Sequence, residues 1–146
     1  MDNAIRAHRP MHLWIVGVFA TVWNGFGAFD YLMTQTRNAA YLAQFSTEER
    51  AYFEAFPAWA DAFWALGVWG GLAGALLLIA RRRIAVGAFL VSLAGMFVGL
   101  GYQLAVGEVP ESLSSGLMAL FPYVIIGVGI ALLMYARAMA ATGALR

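Results

Sequence analysis

The stretch GVWGGLAGALLLIARRRIAVGAFLVSLAG, Gly67 to Gly95, places three consecutive arginines between two apolar runs. Each run belongs to a segment of roughly 20 residues, the length that an α-helix needs to cross a hydrocarbon core of about 30 Å. A backbone in lipid must pair its own N–H and C=O groups, so both runs are expected to be helices. Arginine is costly inside the hydrocarbon, which places the three arginines at the headgroups. The stretch therefore predicts a hairpin of two membrane-spanning helices.

The whole chain has the composition of an integral membrane protein. Of its 146 residues, 62% are hydrophobic and 12% are charged, and the mean hydropathy is +0.74. Segments long and apolar enough to span a bilayer cover residues 13–33, 58–80, 84–106 and 113–136. We therefore predict one all-α domain over residues 1–146, an integral membrane four-helix bundle whose longest loop covers residues 34–57. Membrane lipid is its expected surroundings.

The placement of arginine predicts the orientation of this bundle. Arginines on one side are Arg6, Arg9, Arg81, Arg82, Arg83, Arg137 and Arg146, against Arg37 and Arg50 on the other. Cytoplasmic loops carry the excess of basic residues in membrane proteins. Both termini and the arginine hairpin are therefore expected in the cytoplasm, which makes the loop 34–57 an outer loop.

The outer loop carries the signals of a short amphipathic helix. In STEERAYFEAFP, Ser46 is the expected N-cap, and Glu49 lies three residues later, where it completes a capping box. Pro57 is then expected to open the next helix. The loop is interpreted as a cap that lies on the outer surface of the bundle.

Polar side chains interrupt the apolar spans toward their outer ends. If the first span is centred near Trp23, Asp30 lies about 10 Å outward, close to the hydrocarbon boundary. Residues expected to form a polar or solute-binding layer are Asn24, Asp30, Asp61, Tyr102 and Gln103. Asn24 is the deepest of them, and it is expected to pack against a neighbouring helix through an interhelical hydrogen bond.

Two interpretations of the two aspartates stay open at this point. Paired carboxylates near the mouth of a bundle relay protons or bind a cation in some membrane proteins. Alternatively, loop arginines or backbone amides bond to Asp30 and Asp61 and tie the outer loop to the bundle. Their shared depth is compatible with both roles.

Small residues form two stripes on the arms of the arginine hairpin. The expected packing faces are Gly67, Gly70, Gly71 and Gly74 in the second span and Gly95 and Gly99 in the third. Such stripes let two helices approach closely, most simply the two arms of the hairpin themselves. A partner protein is the alternative occupant of these faces.

Pro122 falls inside the predicted fourth span. Proline has no N–H to donate, so at this position it would leave the carbonyl of Met118 without its helical partner. A kink in the outer half of the fourth helix is the expected result.

The residues that most catalytic and cofactor sites need are missing from this chain. It has no cysteine and no lysine, which excludes thiolate metal sites and Schiff-base chemistry. No phosphate-binding loop, HExxH or Gly-x-Ser-x-Gly motif occurs, and His8 and His12 cannot face each other across a bundle as haem ligands do. We predict no enzymatic activity, no cofactor, no metal and no nucleic-acid partner.

The segment from Trp23 to Gly95 is similar to an uncharacterised family of small bacterial inner-membrane proteins with four predicted helices. The most recognisable parts are WNGFG, FPAW and WGG followed by LLLIARRR. The resemblance implies a multi-pass protein of the bacterial inner membrane, and many members carry the automatic label of sugar transporter. A sugar site combines aromatic platforms with several polar groups, for which the candidates here are Trp23, Asn24, Trp64 and Trp69.

Three functional classes are compatible with these residues. The first is a non-enzymatic accessory or interaction subunit that forms a homo-oligomer or joins a larger membrane complex, supported by the glycine stripes. An oligomeric small-solute transporter with a polar layer at its outer mouth is the second. Small multidrug transporters have a similar size, but they carry a deep glutamate in the first helix where this chain has Asn24. A membrane enzyme or redox subunit, the third class, lacks visible ligands. The first class is our prediction and the second its alternative.

Overall fold

In the computed structural model, which describes residues 11–106 and 109–146, the chain is all-helical, with no strand in that part. Its helices are α1 (Met11–Gln35), α2 (Ala39–Leu42), α3 (Thr47–Glu54), α4 (Ala58–Ile79), α5 (Ala85–Val106), α6 (Glu111–Ser114) and α7 (Phe121–Ala141). Four of them, α1, α4, α5 and α7, are long and apolar enough to cross a membrane. The predicted all-α class with four such helices is confirmed, whereas Arg6, His8 and Arg9 lie outside the described residues.

The fourth long helix begins later than the predicted 113–136. The short helix α6 is followed by a turn at Gly116, whose φ of 57° is left-handed, and by a 3-10 turn over Met118–Leu120. Pro122 therefore lies in the first turn of α7, where a missing N–H interrupts no helical bond. The carbonyl of Met118 accepts the N–H of Phe121. The predicted kink and orphaned carbonyl are both wrong.

The long helices pack in the order α1, α4, α5, α7. The contact between α4 and α5 is the most extensive, followed by that between α1 and α4 and that between α5 and α7. Glycine permits the closest approach, because a Cβ on Gly95 would lie only 2.7 Å from the backbone N of Gly67 and the carbonyl O of Phe63. Ser92 adds a hydrogen bond of 2.5 Å from its hydroxyl to the Gly67 carbonyl. The two arms of the arginine hairpin are thus in direct backbone contact.

Most of the predicted glycine faces are occupied inside the fold. A Cβ on Gly70 would lie 3.1 Å from the backbone N of Ser92, and one on Gly74 would lie 2.8 Å from the ring of Phe89. Gly71 faces Asn24 of α1. Gly99 differs from the others, because a Cβ there would meet nothing within 4 Å.

The bundle has a closed half next to the arginine turn, which we call the hairpin half. Its buried cluster consists of Leu13, Ala20, Ala75, Leu78, Ala85, Phe89, Leu132, Ala136 and Leu145. There α1 and α7 are joined by a hydrogen bond of 2.6 Å between His12 Nδ1 and the Tyr135 hydroxyl. The opposite half, next to the segments 36–57 and 109–120, is called the loop half.

The arginine turn also holds the residues that follow α7. Arg81 adopts a left-handed conformation with φ of 58°, and its Nε donates to the Ala144 carbonyl at 3.1 Å. The Arg146 N–H donates to the Arg81 carbonyl, and the Arg83 N–H donates to the Arg146 carbonyl. These bonds bury Leu145, which is 2% exposed. They hold the residues after α7 against the turn between α4 and α5, and so close this end of the hairpin half.

The predicted helix of the first loop is α3, and its capping box is confirmed. Glu49 N–H donates to Ser46 Oγ at 3.1 Å, and Ser46 N–H donates to Glu49 Oε2 at 2.7 Å. The other carboxylate oxygen of Glu49 accepts the Ser112 hydroxyl at 2.8 Å. Glu49 therefore connects α3 with α6, so that the two loops form one cap over the loop half.

Candidate functional site

The loop half contains a cavity of about 700 Å³, bounded by α1, α4, α5, the start of α7 and the cap residues around α2. Aromatic side chains form much of its wall: Trp23, Phe26, Phe29, Phe56, Trp64 and Phe121. Polar side chains at the cavity are Asn24, Asp30, Tyr41, Gln44 and Gln103. A largely apolar space of this size with a few polar groups is typical of a small-molecule site.

Glycines from three helices contribute to the lining of this space. Gly27 of α1, Gly67 of α4, and Gly95 and Gly99 of α5 all line the cavity. A Cβ on Gly67 or Gly95 would meet packed atoms of the facing helix, whereas a Cβ on Gly99 would meet no atom of another element within 4 Å. The close contact between α4 and α5 at Gly67 and Gly95 therefore gives way to open space at Gly99, one helical turn nearer the loops.

A hydrogen bond from the cap reaches Asp30 at the loop end of the cavity. The Tyr41 hydroxyl donates to Asp30 Oδ1 at 2.6 Å. The local sequence positions Tyr41, because Arg37 turns the chain with a left-handed φ of 51° and Asn38 then caps α2 by accepting the Tyr41 N–H at 3.0 Å. Burial, and then the Asp30 carboxylate, raise the pKa of Tyr41 well above its ordinary value, so the phenol stays protonated as a donor.

This bond changes one interpretation of Asp30. The sequence suggested a loop arginine or a backbone amide as the group that ties Asp30 to the outer loop. The partner is the phenol of Tyr41 instead, while Arg50 donates through Nε to the Ser46 carbonyl at 3.5 Å. Asp30 is connected to the cap, but its charge is not neutralised by an ion pair within the described residues.

Asn24 forms the other polar end of the cavity, toward the hairpin half. It is 6% exposed, and its Nδ2 donates to the Ala20 carbonyl of its own helix at 2.8 Å. The expected interhelical hydrogen bond is replaced by packing, since Asn24 Oδ1 occupies the place where a side chain on Gly71 would begin. Asn24 is therefore both a packing residue and part of the cavity lining.

The predicted polar layer is divided by the fold. Gln103 lines the cavity together with Asn24 and Asp30, but Asp61 and Tyr102 do not. Asp61 lies in the first turn of α4 beside the side chain of Gln35. Tyr102 packs edge-on against Trp59 and Phe56, with ring centroids 4.9 and 5.7 Å away.

The sequence predicted an outer loop that caps the polar layer, but it did not identify the two polar residues that the cap contributes to this site. Tyr41 and Gln44 lie in the loop, and both line the cavity. The available signal was Asn38, a preferred N-cap residue three positions before Tyr41, which marks the start of a helical turn. Among the residues considered for a sugar site, Trp69 alone lies outside the lining, with its ring 6.4 Å from that of Tyr31.

The wall of the cavity is incomplete between α1 and α7. These two helices make no extensive backbone contact. Phe26 and Phe29 of α1 and Phe121 of α7 line the cavity, yet they are 72%, 52% and 53% exposed. The cavity therefore opens sideways at the apolar surface of the bundle, between α1 and α7.

Comparison of this chain with models of known protein families, with curated proteins and with solved structures found no match. The similarity to four-helix inner-membrane proteins stays a prediction. Within residues 11–106 and 109–146, no group of three His, Cys, Asp or Glu side chains is placed to hold a metal ion.

Proposed function

We propose that this protein is a multi-pass membrane protein that binds a small, mostly apolar molecule in the loop half of its bundle. The observation that carries the proposal is the cavity of about 700 Å³ with aromatic walls and polar groups at both ends. An empty space of this size would leave its lining side chains without packing partners. An occupant therefore stabilises the folded state as well as being bound by it.

The arginine distribution supports an orientation for this site. With the arginine hairpin and both termini in the cytoplasm, the cap faces the outside and the cavity lies in the outer half of the membrane. A bacterial inner membrane is the proposed location. Molecules would reach the cavity from the outer leaflet, through the opening between α1 and α7.

The packed hairpin half favours binding over passage through a single chain. Below Asn24 the bundle is filled by buried side chains such as Leu13, Leu78 and Phe89, which are 1%, 0% and 2% exposed. These side chains thus close the cavity at its Asn24 end. This geometry supports the binding of a solute, which is one part of the solute-transporter hypothesis. It does not support a passage for the solute through a single chain.

The accessory-subunit hypothesis has less support from the fold. It relied on glycine stripes that are free to face a partner. Gly67, Gly70 and Gly95 are engaged between α4 and α5, and Gly71 and Gly74 lie against Asn24 and Phe89. Gly99 faces the cavity. Solute binding therefore replaces partner binding as the proposed function.

A pair of glycine variants tests this proposal. Gly99→Leu places a side chain in the cavity, where no atom of another element lies within 4 Å of the new Cβ. Gly101→Leu, two residues later on the same helix, also meets nothing within 4 Å, but it is outside the lining and exposed. Both changes replace glycine by a better helix former, so they are matched in backbone effect.

Native mass spectrometry of wild type and both variants, extracted in native-lipid nanodiscs, measures the bound molecule. We expect a stoichiometric small molecule with the wild type and Gly101→Leu, and none with Gly99→Leu at equal folded yield. A wild type without a bound molecule, or the same content in all three proteins, would contradict the proposed function.

A further inference from the structure

The cavity carries a single formal charge. Among the described residues that line it, Asp30 is the only Asp, Glu, Lys, Arg or His. The other polar groups of the lining are the amides of Asn24, Gln44 and Gln103 and the protonated phenol of Tyr41. The site thus combines one negative charge with a largely uncharged, aromatic wall.

The carboxylate of Asp30 is partly withdrawn from solvent and has only one hydrogen bond in the described part of the chain. Its Oδ1 accepts the Tyr41 hydroxyl, and Oδ2 accepts no hydrogen bond from the described residues. A half-buried carboxylate is stabilised by a nearby positive charge, because the protein surroundings screen less than water does. The space beside it is the cavity itself.

The aromatic wall favours the same sign of charge. Ring faces are electron-rich and attract a cation within about 6 Å, most strongly in the case of tryptophan. Trp23 and Trp64 line the cavity together with the phenylalanines at its lateral opening. An anion in the same place would meet both the carboxylate and the electron-rich rings.

We infer that the cavity selects lipophilic cations, molecules with a positively charged centre and an apolar body, and that Asp30 is their counter-ion. This inference rests on the proposed function and names its ligand class. The apolar body lies against the aromatic wall, and the exposed phenylalanines of α1 and α7 allow it to enter from the lipid. The amide oxygens of Gln44 and Gln103, which line the same cavity, are available as further acceptors for the charged centre.

Two probe ions of equal shape and opposite charge test the selectivity. Tetraphenylphosphonium and tetraphenylborate are titrated into the purified full chain in uncharged detergent micelles, with isothermal calorimetry as the readout. Gly99→Leu serves as the blank that corrects for partition of each ion into the micelle. We expect the wild type to bind the phosphonium at least about tenfold more tightly than the borate.

Two aspartate variants test whether Asp30 is the residue that causes the preference for the cation. Asp30→Asn removes the charge but keeps an oxygen that can accept the Tyr41 hydroxyl, and it should abolish the preference for the cation. Asp61→Asn removes the other carboxylate of the long helices, which lies outside the lining, and it should leave the preference unchanged. Should Asp30→Asn fail to fold, the comparison of the two ions on the wild type decides alone.

The possible results separate this inference from the proposed function. Equal binding of both ions by the wild type, or a preference for the cation that survives Asp30→Asn, overturns the inference while the cavity remains a binding site. No binding of either ion beyond the Gly99→Leu blank overturns the proposed function itself.

Discussion

The hairpin half and the loop half are built from the same four helices, but only one of them is filled. In the hairpin half, Leu13, Leu78 and Leu145 are almost completely buried, and the arginine turn holds the residues after α7 against α4 and α5. In the loop half, large aromatic residues surround about 700 Å³ of space. The difference indicates that a small bundle can keep a cavity when packing at its other end stabilises the fold.

The largest expected effect is the difference in unfolding free energy between two truncations, one phenylalanine in each half. Phe89→Ala removes a side chain that is 2% exposed, leaves a void in the hairpin half, and should cost about 3 to 5 kcal/mol of unfolding free energy. Phe26 is 72% exposed and borders a space that already exists. Phe26→Ala should therefore cost under about 1 kcal/mol of unfolding free energy. Reversible unfolding in mixed micelles measures both, and equal losses would remove the distinction between the halves.

Two glycines one helical turn apart on α5 locate the boundary between the halves. Gly95→Ala forces a Cβ to within 2.7 Å of backbone atoms of α4, and overpacking of this kind costs about 1 to 3 kcal/mol. Gly99→Ala meets nothing within 4 Å and should be neutral or slightly stabilising, since alanine is the better helix former. The same unfolding assay applies, and a destabilised Gly99→Ala would place the boundary nearer to the loops.

The smallest effect concerns the cap over the loop half. The Ser46 N–H, and then the Ser112 hydroxyl, lower the pKa of the Glu49 carboxyl below its ordinary 4.5. The ionised carboxylate therefore contributes stability above about pH 4.5, and this contribution is lost as the pH falls through the lowered folded-state pKa. Thermal unfolding at pH 6.5 and pH 3.5 should show a larger acid loss for the wild type than for Glu49→Gln, and an identical loss in both would argue against the Ser112 link.

The features that the sequence predicted correctly depend on local patterns. Four apolar segments of spanning length predict four long helices, whatever their partners are. The capping box of Ser46 and Glu49 lies within four residues, so it forms without knowledge of the rest of the fold. The start of the fourth helix was misplaced because Leu113, Leu117 and Leu120 continue the apolar composition of α7 across the left-handed turn at Gly116.

The candidate site was predicted only in part. The sequence gives the position of a residue along its helix, but it does not give the side of the helix that faces the cavity. Residue number gives the depth, and it correctly placed Asp30 toward the loop end of α1. The direction in which Asp61 and Tyr102 point depends on how α4 and α5 pack, which one sequence does not reveal. The contact between Tyr41 and Asp30 joins a loop to a helix, and the cavity itself is lined by residues of α1, α4, α5 and α7 that lie far apart in the sequence.

The most direct test of the central claim asks whether the loop half is accessible while the hairpin half is closed. The chain has no cysteine, so a single introduced cysteine reports on its own position. Gly99→Cys lies at the cavity, and Ala75→Cys lies in the hairpin cluster at a residue that is 0% exposed. With methyl methanethiosulfonate in native membranes, we predict labelling of the cysteine at position 99, and labelling at position 75 only after denaturation. Equal protection of both cysteines in the folded protein would contradict the existence of an open cavity in the loop half.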